Sequence, residues 1–338
     1  MVRHTDGTLM GLVLATSRSF SGGSVDLYAR LAAAGHDVVR GPADHDLETL
    51  APLLAEAVGW VAGTGAVTAN HLDLAPRLRV VARYGVGYEA VDVDEATARG
   101  IVVTNTPGAN SDAVADHAVG LMLAVLRGTT EGDRRVRRGD WTVLRGRELG
   151  RLVVGIVGFG RIGQGVARRL SGFGTRVVAS DPFLSDEAIH ALGAEPIALA
   201  AMAGACDVVS LHAPGGQTIV DAEWLATGHP SLVVVNTARP ELVDEIALSA
   251  ALREGRIGGF AADTLAGDTR GDTSPLLDAS FAERVIVTPH LGAQTIEAVD
   301  NMGAFAVDNL LAVLEGRTPP NPVNTLTIAH PATPPEAL

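Results

Sequence analysis

The feature that most constrains the fold of this chain is a regular alternation. Short β-branched runs at 12–16, 80–83, 101–104, 153–157, 176–180, 207–211, 232–236 and 285–288 are separated by Ala/Leu-rich helical patterns at 24–34, 111–127, 162–171 and 242–254. Strand-like runs that alternate with helical stretches belong in parallel sheets with helices on both faces. The expected class is therefore α/β with doubly wound parallel sheets, and 338 residues are comfortable for two such cores. Strand-like sequence breaks near Thr106-Pro107-Gly108, where a long helical pattern begins behind Asn110 and Ser111 as candidate N-caps. A second long helical pattern, 295–314, follows the last clear run. Two such interdomain helices make one domain discontinuous: 1–107 plus 299–338 form one unit and 108–298 the other.

Within the second unit, the run 153–157 leads into Gly158-Phe159-Gly160-Arg161-Ile162-Gly163 and then a helical pattern. A further run ends at Asp181, 18 residues past Gly163. A bare GxGxxG carries little weight. A strand before it, a helix after it and an acid about 20 residues on make a dinucleotide fingerprint. Gly158 allows the tight turn, Gly160 lets backbone approach a pyrophosphate, and Gly163 lets helix pack on strand. The helix N-terminus, with Arg161 and Ile162, then faces the anion. The Asp181 carboxylate suits the ribose hydroxyls and repels a 2′-phosphate, which favours NAD over NADP. The plain alternative is a Gly-rich turn without a ligand.

Composition excludes several other chemistries. All 26 basic residues are Arg, so Schiff-base and P-loop lysine chemistry are absent. The formal net charge of −13 argues against nucleic acid and anionic membrane as partners. No apolar run approaches the roughly 18 residues of a membrane span, and the stretch 10–15 is too short for a signal core. The lone Cys206 forms no internal disulfide and fits a reducing compartment, so a cytoplasmic location is expected. His4, His36, His45, His71, His190, His229 and His330 lack metal-ligand spacing and read as surface or structural; no metal site is expected. His117 lies in a long helical pattern and reads as packing. The basic cluster 134–138 reads as a solvated helix face or a dimer contact.

Three polar groups follow three late strand-like runs. Arg239 follows 233–236, Asp263 and Asp268 follow 258–262, and His290 follows 285–288. Open α/β sheets bind ligands outside the carboxyl ends of their strands, which places these groups on one rim. A histidine there can move a proton to or from a carbonyl oxygen, and an arginine can hold an adjacent carboxylate. The bland readings are a loop or N-cap histidine and a surface ion-pair arginine.

These residues, with Val235-Asn236-Thr237-Ala238-Arg239, Thr288-Pro289-His290-Leu291-Gly292-Ala293, Arg83-Tyr84-Gly85-Val86-Gly87 and Asn321-Pro322-Val323-Asn324, resemble the D-2-hydroxyacid dehydrogenase family on its phosphoglycerate-dehydrogenase-like side. The resemblance spans nearly the whole chain. It implies a flavodoxin-like substrate domain, a Rossmann cofactor domain with a cleft between them, NAD as cofactor and a homodimer built on the cofactor domain. It also implies hydride transfer between nicotinamide and C2 of a small 2-hydroxy or 2-oxo acid. His290 is then the general acid/base, oriented by Asp268, and Arg239 binds the carbonyl and carboxylate. Cofactor contacts are implied at His212, Ala213, Pro214, Thr218, Thr237, Ala238 and Gly292. Asp263 resembles the aspartate that meets the nicotinamide amide, with a structural loop role as the other reading. Thr64, Arg83, Tyr84, Val86, Gly87 and Asn110 are the candidate substrate contacts, the backbone around Val86 and Gly87 for the carboxylate.

The chain departs from the family pattern in four places. Asp268 stands where Glu is usual and is shorter by one methylene, about 1.5 Å; Asp272, or no close partner, are the alternatives to it. Pro240-Glu241 replaces a Gly-Gly pair beside Arg239 and stiffens that loop. The loop 214–218 is short. Thr64 stands in a segment where phosphoglycerate-type members carry an Arg-Ser pair, which weakens the case for phosphoglycerate itself. Phosphite dehydrogenases use a Lys in the loop that aligns with Val86, and this chain has none. Two competing readings remain: an NAD(H)-sensing binding protein of the corepressor type, and a biosynthetic reductase for an unusual, for example phosphonate-bearing, 2-oxo acid.

Overall fold

The computed structural model describes residues 11–267 and 274–325. Two compact units emerge, Met1–Asn110 with Gln294–Leu338, and Ser111–Ala293. Asp268, Asp272, His4 and His330 lie outside the described residues.

The first unit holds a five-stranded parallel sheet of β1 (Leu12–Ala15), β2 (Asp37–Arg40), β3 (Ala57–Ala62), β4 (Val80–Arg83) and β5 (Val102–Thr104). The order β2-β1-β3-β4-β5 is the flavodoxin-like one, and it reverses direction between β1 and β3. β3 is central, and every residue of it is buried. It lacks a run of branched side chains because helices press on it from both sides: a Cβ at Gly59 would lie 3.0 Å from Leu310 Cδ1 of the helix Ile296–Leu314. The first helix spans Leu27–Ala33, not 24–34, because the Asp26 side chain caps it by accepting from the Ala29 N–H. Asn324 closes the free edge of the sheet. Its Oδ1 accepts from the Val103 N–H (2.7 Å) and its Nδ2 donates to Ile101 O (3.0 Å), so a side chain supplies the bonds a neighbouring strand would.

The second unit holds seven parallel strands: β6 (Val153–Val157), β7 (Arg176–Ser180), β8 (Glu195–Pro196), β9 (Val208–Leu211), β10 (Val233–Asn236), β11 (Gly259–Ala262) and β12 (Val285–Val287). Their order, β12-β11-β10-β9-β6-β7-β8, is doubly wound, with its switch point between β6 and β9. Successive side chains face opposite sides of a strand. Val154 and Ile156 therefore enter a core with Met122 and Leu170, while Val157 joins one with Trp224 and Phe260. Both faces are apolar, which is why these strands read as continuous β-branched runs rather than alternating ones. The helix expected at 242–254 spans Glu245–Arg253. The Asp244 carboxylate caps it through the Ile246 and Ala247 N–H groups, and Pro240–Leu242 forms a separate 3-10 turn. Among the described residues no helix is long and apolar enough to cross a membrane, and no cluster of His, Cys, Asp and Glu could hold a metal ion.

Candidate active site

The dinucleotide turn is built at the end of β6. Gly158 sits at φ +84°, and a Cβ there would lie 2.7 Å from the backbone of His212 and Ala213. A Cβ on Gly163 would lie 2.2 Å from Gly158 O, so the helix Arg161–Ser171 reaches the strand only because position 163 has no side chain. Gly160 differs: nothing lies within 4 Å of the Cβ it lacks. It is the N-cap of that helix and offers no side-chain cap, so no cap side chain takes up the first N–H groups. An open backbone approach at a helix N-terminus is what a pyrophosphate requires.

Asp181 follows the end of β7 and is tied to the same turn. Its Oδ2 accepts from the Phe159 N–H (2.7 Å) and its Oδ1 from the Phe183 N–H (2.9 Å). Each oxygen keeps a lone pair for a further donor, so the carboxylate is oriented without being used up. Along the rim, His212 follows β9. Burial pushes its imidazole down to about 4, which leaves it neutral, and one ring nitrogen pairs with Ser210 Oγ at 2.9 Å. His212 Nδ1 and Thr237 Oγ1 are buried without a hydrogen-bond partner. Buried polar atoms are rarely left so. Orphaned groups beside an open glycine turn and an oriented acid fit a dinucleotide on this rim. Of the other expected cofactor contacts, Arg161, Pro214 and Thr218 are exposed and Ile162, Ala213 and Ala238 half-buried, and Thr218 Oγ1 donates to Glu241 O (3.2 Å).

Arg239 follows β10 in extended backbone at φ −138°. Its turn is closed by Asn236, a buried residue that in the sequence is only part of the 235–239 motif. Asn236 Oδ1 accepts from the Ala238 N–H (3.0 Å) and its Nδ2 donates to Arg239 O (2.8 Å). The signal was present, since an Asn at a strand end bonding backbone two residues on is an Asx-turn. The Arg239 Nη1 donates to Ala238 O (2.9 Å).

His290 stands in the left-handed region at φ +57°, which a non-glycine residue adopts only when its surroundings impose it. Asp263, just past β11, supplies much of that constraint. Its backbone carbonyl accepts from the His290 N–H (3.1 Å), Oδ1 from the Leu291 N–H (2.8 Å) and the Thr288 hydroxyl, and Oδ2 from the Gly292 N–H (2.7 Å). Burial pushes the Asp263 carboxyl up, but hydrogen bonds from His117, Thr288, Gly292 and Leu291 outweigh it and hold the group ionised below the usual range. Both oxygens of Asp263 are thus engaged by its own domain. The imidazole of His290 is exposed.

The candidate substrate contacts lie in the first unit, past the carboxyl ends of β3 and β4. A Cβ on Gly63 would lie 2.7 Å from Thr16 O, and Thr64 beside it is exposed. The loop is underpinned by His45, whose spacing in the sequence marks it only as surface or structural. A Cβ on Gly65 would lie 2.4 Å from its ring. Arg83 is buried at 8% exposure and bonds the Tyr84 carbonyl, with its guanidinium over Gly85. Val86 is exposed, and its carbonyl accepts from Asn105 Nδ2 (2.8 Å), while Gly87 is half-buried. Asn110 carries a buried Oδ1 without a hydrogen-bond partner. Tyr84 is turned into the core: its hydroxyl donates to Val299 O (2.7 Å), and burial pushes it up to about 12.

A glycine turn at the end of β6, an acid tied to it past β7 and a strained histidine past β12 belong to one doubly wound sheet, the architecture of a dinucleotide-binding domain. Residues 119–292 match the family model for the D-isomer specific 2-hydroxyacid dehydrogenase, NAD binding domain, and the chain belongs to that family. It is 40% identical over 263 residues to the D-3-phosphoglycerate dehydrogenase of Mycobacterium leprae, covering 76% of this chain and 49% of that one. The chain thus spans about half the length of the mycobacterial relatives it matches. It is 38% identical over 270 residues to the glyoxylate reductase of Korarchaeum cryptofilum, covering 77% of this chain and 80% of that one. Among solved structures, the TT0316 protein from Thermus thermophilus superposes with a TM-score of 0.82 at 35% identity, covering 93% of this chain and all of that one.

Proposed function

We propose that this chain is an NAD(H)-dependent oxidoreductase acting at C2 of a small 2-oxo or 2-hydroxy acid, and that its second unit binds the cofactor while its first binds the substrate. The observation that carries this reading is His290, held at φ +57° by Asp263 on the rim that bears the Gly158–Gly163 turn. A fold that holds an exposed histidine in a strained conformation with a buried carboxylate is maintaining a working group.

When bound, the nicotinamide supplies or takes up a hydride. The chain's own residues do the rest. Arg239 draws the substrate carboxylate and the carbonyl oxygen to its guanidinium by charge-assisted hydrogen bonds. As C2 is reduced, the carbonyl π pair moves to oxygen, and His290 delivers its ring proton there to complete the hydroxyl. In the oxidative direction the same ring takes the proton back. Asp268 is assigned to orient that ring. Asp181 favours NAD over NADP, since a carboxylate fixed by two backbone N–H groups repels a 2′-phosphate. Relatives named for phosphoglycerate and for glyoxylate bracket the substrate class. Thr64 in place of an arginine favours a small acid over a phosphorylated one.

A homodimer through the cofactor domain is part of the proposal. Trp141 and Val143, at 78% and 90% exposure, lie on a segment without regular structure in that domain and offer apolar surface for a second copy. The mechanism is tested by His290→Ala. Turnover of the best 2-oxo acid should fall by about 10³-fold or more with NADH binding retained. Unchanged turnover would remove His290 from the chemistry.

A further inference from the structure

The turn that carries His290 is braced from a second element. His117 lies on the helix Ser111–Arg127 in the same unit. Its Nε2 is 2.9 Å from Thr288 Oγ1 and 3.2 Å from Asp263 Oδ1. The Thr288 hydroxyl has one proton, and it donates that proton to Asp263 Oδ1. Toward His117 the hydroxyl can only accept. The His117 Nε2 therefore carries a proton, shared between the Thr288 hydroxyl and the Asp263 carboxylate. The same carboxylate takes the N–H groups of Leu291 and Gly292, the two residues after His290. Packing agrees with this path: a Cβ on Gly292 would meet Asp263 Oδ2 at 3.0 Å and His117 Cδ2 at 3.8 Å.

We propose that His117 is a positioning residue for His290. Its Nε2–H fixes the rotamers of the Thr288 hydroxyl and the Asp263 carboxylate, and these hold the left-handed turn that aims the His290 ring. His117 touches neither reacting atom in this scheme; it acts through the turn. The inference rests on the reading of His290 as the acid/base.

The donor's position gives the test. The side-chain amide of Gln places an N–H near the Nε2 of histidine, whereas that of Asn reaches only as far as Nδ1. In the full chain, with NADH and the best 2-oxo acid, His117→Asn should lower kcat by about 10-fold or more, as expected for a displaced catalytic group. KM and the NADH dissociation constant should hold, and His117→Gln should restore most of the lost kcat. Thr288→Val, which keeps shape and removes the hydroxyl, should reproduce the kcat loss. Combining it with His117→Asn should add little, because both cut one relay. Wild-type kcat in His117→Asn, equal impairment of the Asn and Gln variants, or NADH affinity falling in step with kcat would each overturn the proposal. If His290→Ala remains active, the acid/base reading fails instead, and the two failures are told apart.

Discussion

The loop 63–65 rests on a histidine that stays neutral, and that makes a specific acid sensitivity. His45 is buried, and its neutral ring has one donor and one acceptor. Nδ1–H donates to Ala66 O (3.0 Å), and Nε2 accepts from the Thr16 hydroxyl (2.7 Å). The Thr16 oxygen is already filled by the Trp60 Nε1–H (3.0 Å) and the Gly63 N–H (3.2 Å). A proton on Nε2 would face an oxygen with no lone pair to give. Burial accordingly pushes His45 down from 6.5 to about 4; the Ala66 carbonyl raises it in part, His71 and Arg83 lower it further, and Asp44 raises it. Between these values the unfolded chain binds a proton that the folded chain refuses. Stability is therefore fully present above pH 6.5 and is lost as pH falls toward 4. Over that interval the effect amounts to about 3 kcal/mol in all, of which about 2 kcal/mol is gone by pH 5. Urea unfolding at pH 7.5 and pH 5 measures it. His45→Gln should be less stable at pH 7.5, yet its loss between the two pH values should be smaller than the wild-type loss by about 2 kcal/mol. His212, also pushed down to about 4, contributes equally to both proteins and cancels. Equal pH-dependent losses in the two proteins, or a His45 ring that titrates near its ordinary value by NMR, would refute the reasoning.

Asp181→Ala should weaken NAD binding and relax discrimination against NADP, measured as the two dissociation constants by fluorescence; an unchanged ratio would remove the ribose assignment. Asn236→Ala leaves the Ala238 N–H and the Arg239 carbonyl without their partner, a cost of about 1–3 kcal/mol each where they stay buried. Its kcat/KM for the 2-oxo acid should fall well beyond its effect on NADH affinity, because the loop that loosens is the one presenting Arg239. Trp141→Ser with Val143→Ser should shift the sedimentation coefficient of a dimer toward that of a monomer; no shift would place any dimer contact elsewhere.

Elements whose side chains carried the signal were legible in the sequence. β6, β7 and β10 are mostly buried and rich in valine, so pattern and structure coincide. β3 was not named, because Ala57–Ala62 owes its place at the sheet centre to close helix packing over Gly59 rather than to branched side chains. The glycine turn could be read residue by residue, since each glycine answers to a different contact. Side-chain direction could not. Tyr84 neighbours the expected substrate loop in sequence, yet its hydroxyl reaches Val299, 215 positions away. His117 read as packing because its partners, Thr288 and Asp263, come from distant strand ends. Asp263 draws a cofactor role from its motif, and the bonds by which its oxygens also hold the His290 turn have no signature in the sequence.

The measurement that bears most directly on the central claim is oxidation of NADH, followed by absorbance, against glyoxylate, hydroxypyruvate, pyruvate, phosphohydroxypyruvate, phosphonopyruvate and branched-chain 2-oxo acids. The account predicts rapid, stoichiometric consumption of NADH with at least one small acid, NADPH serving less well, and a D-2-hydroxy acid as product. NADH that binds by fluorescence while every acid is left unreduced would contradict it and favour a cofactor-sensing protein.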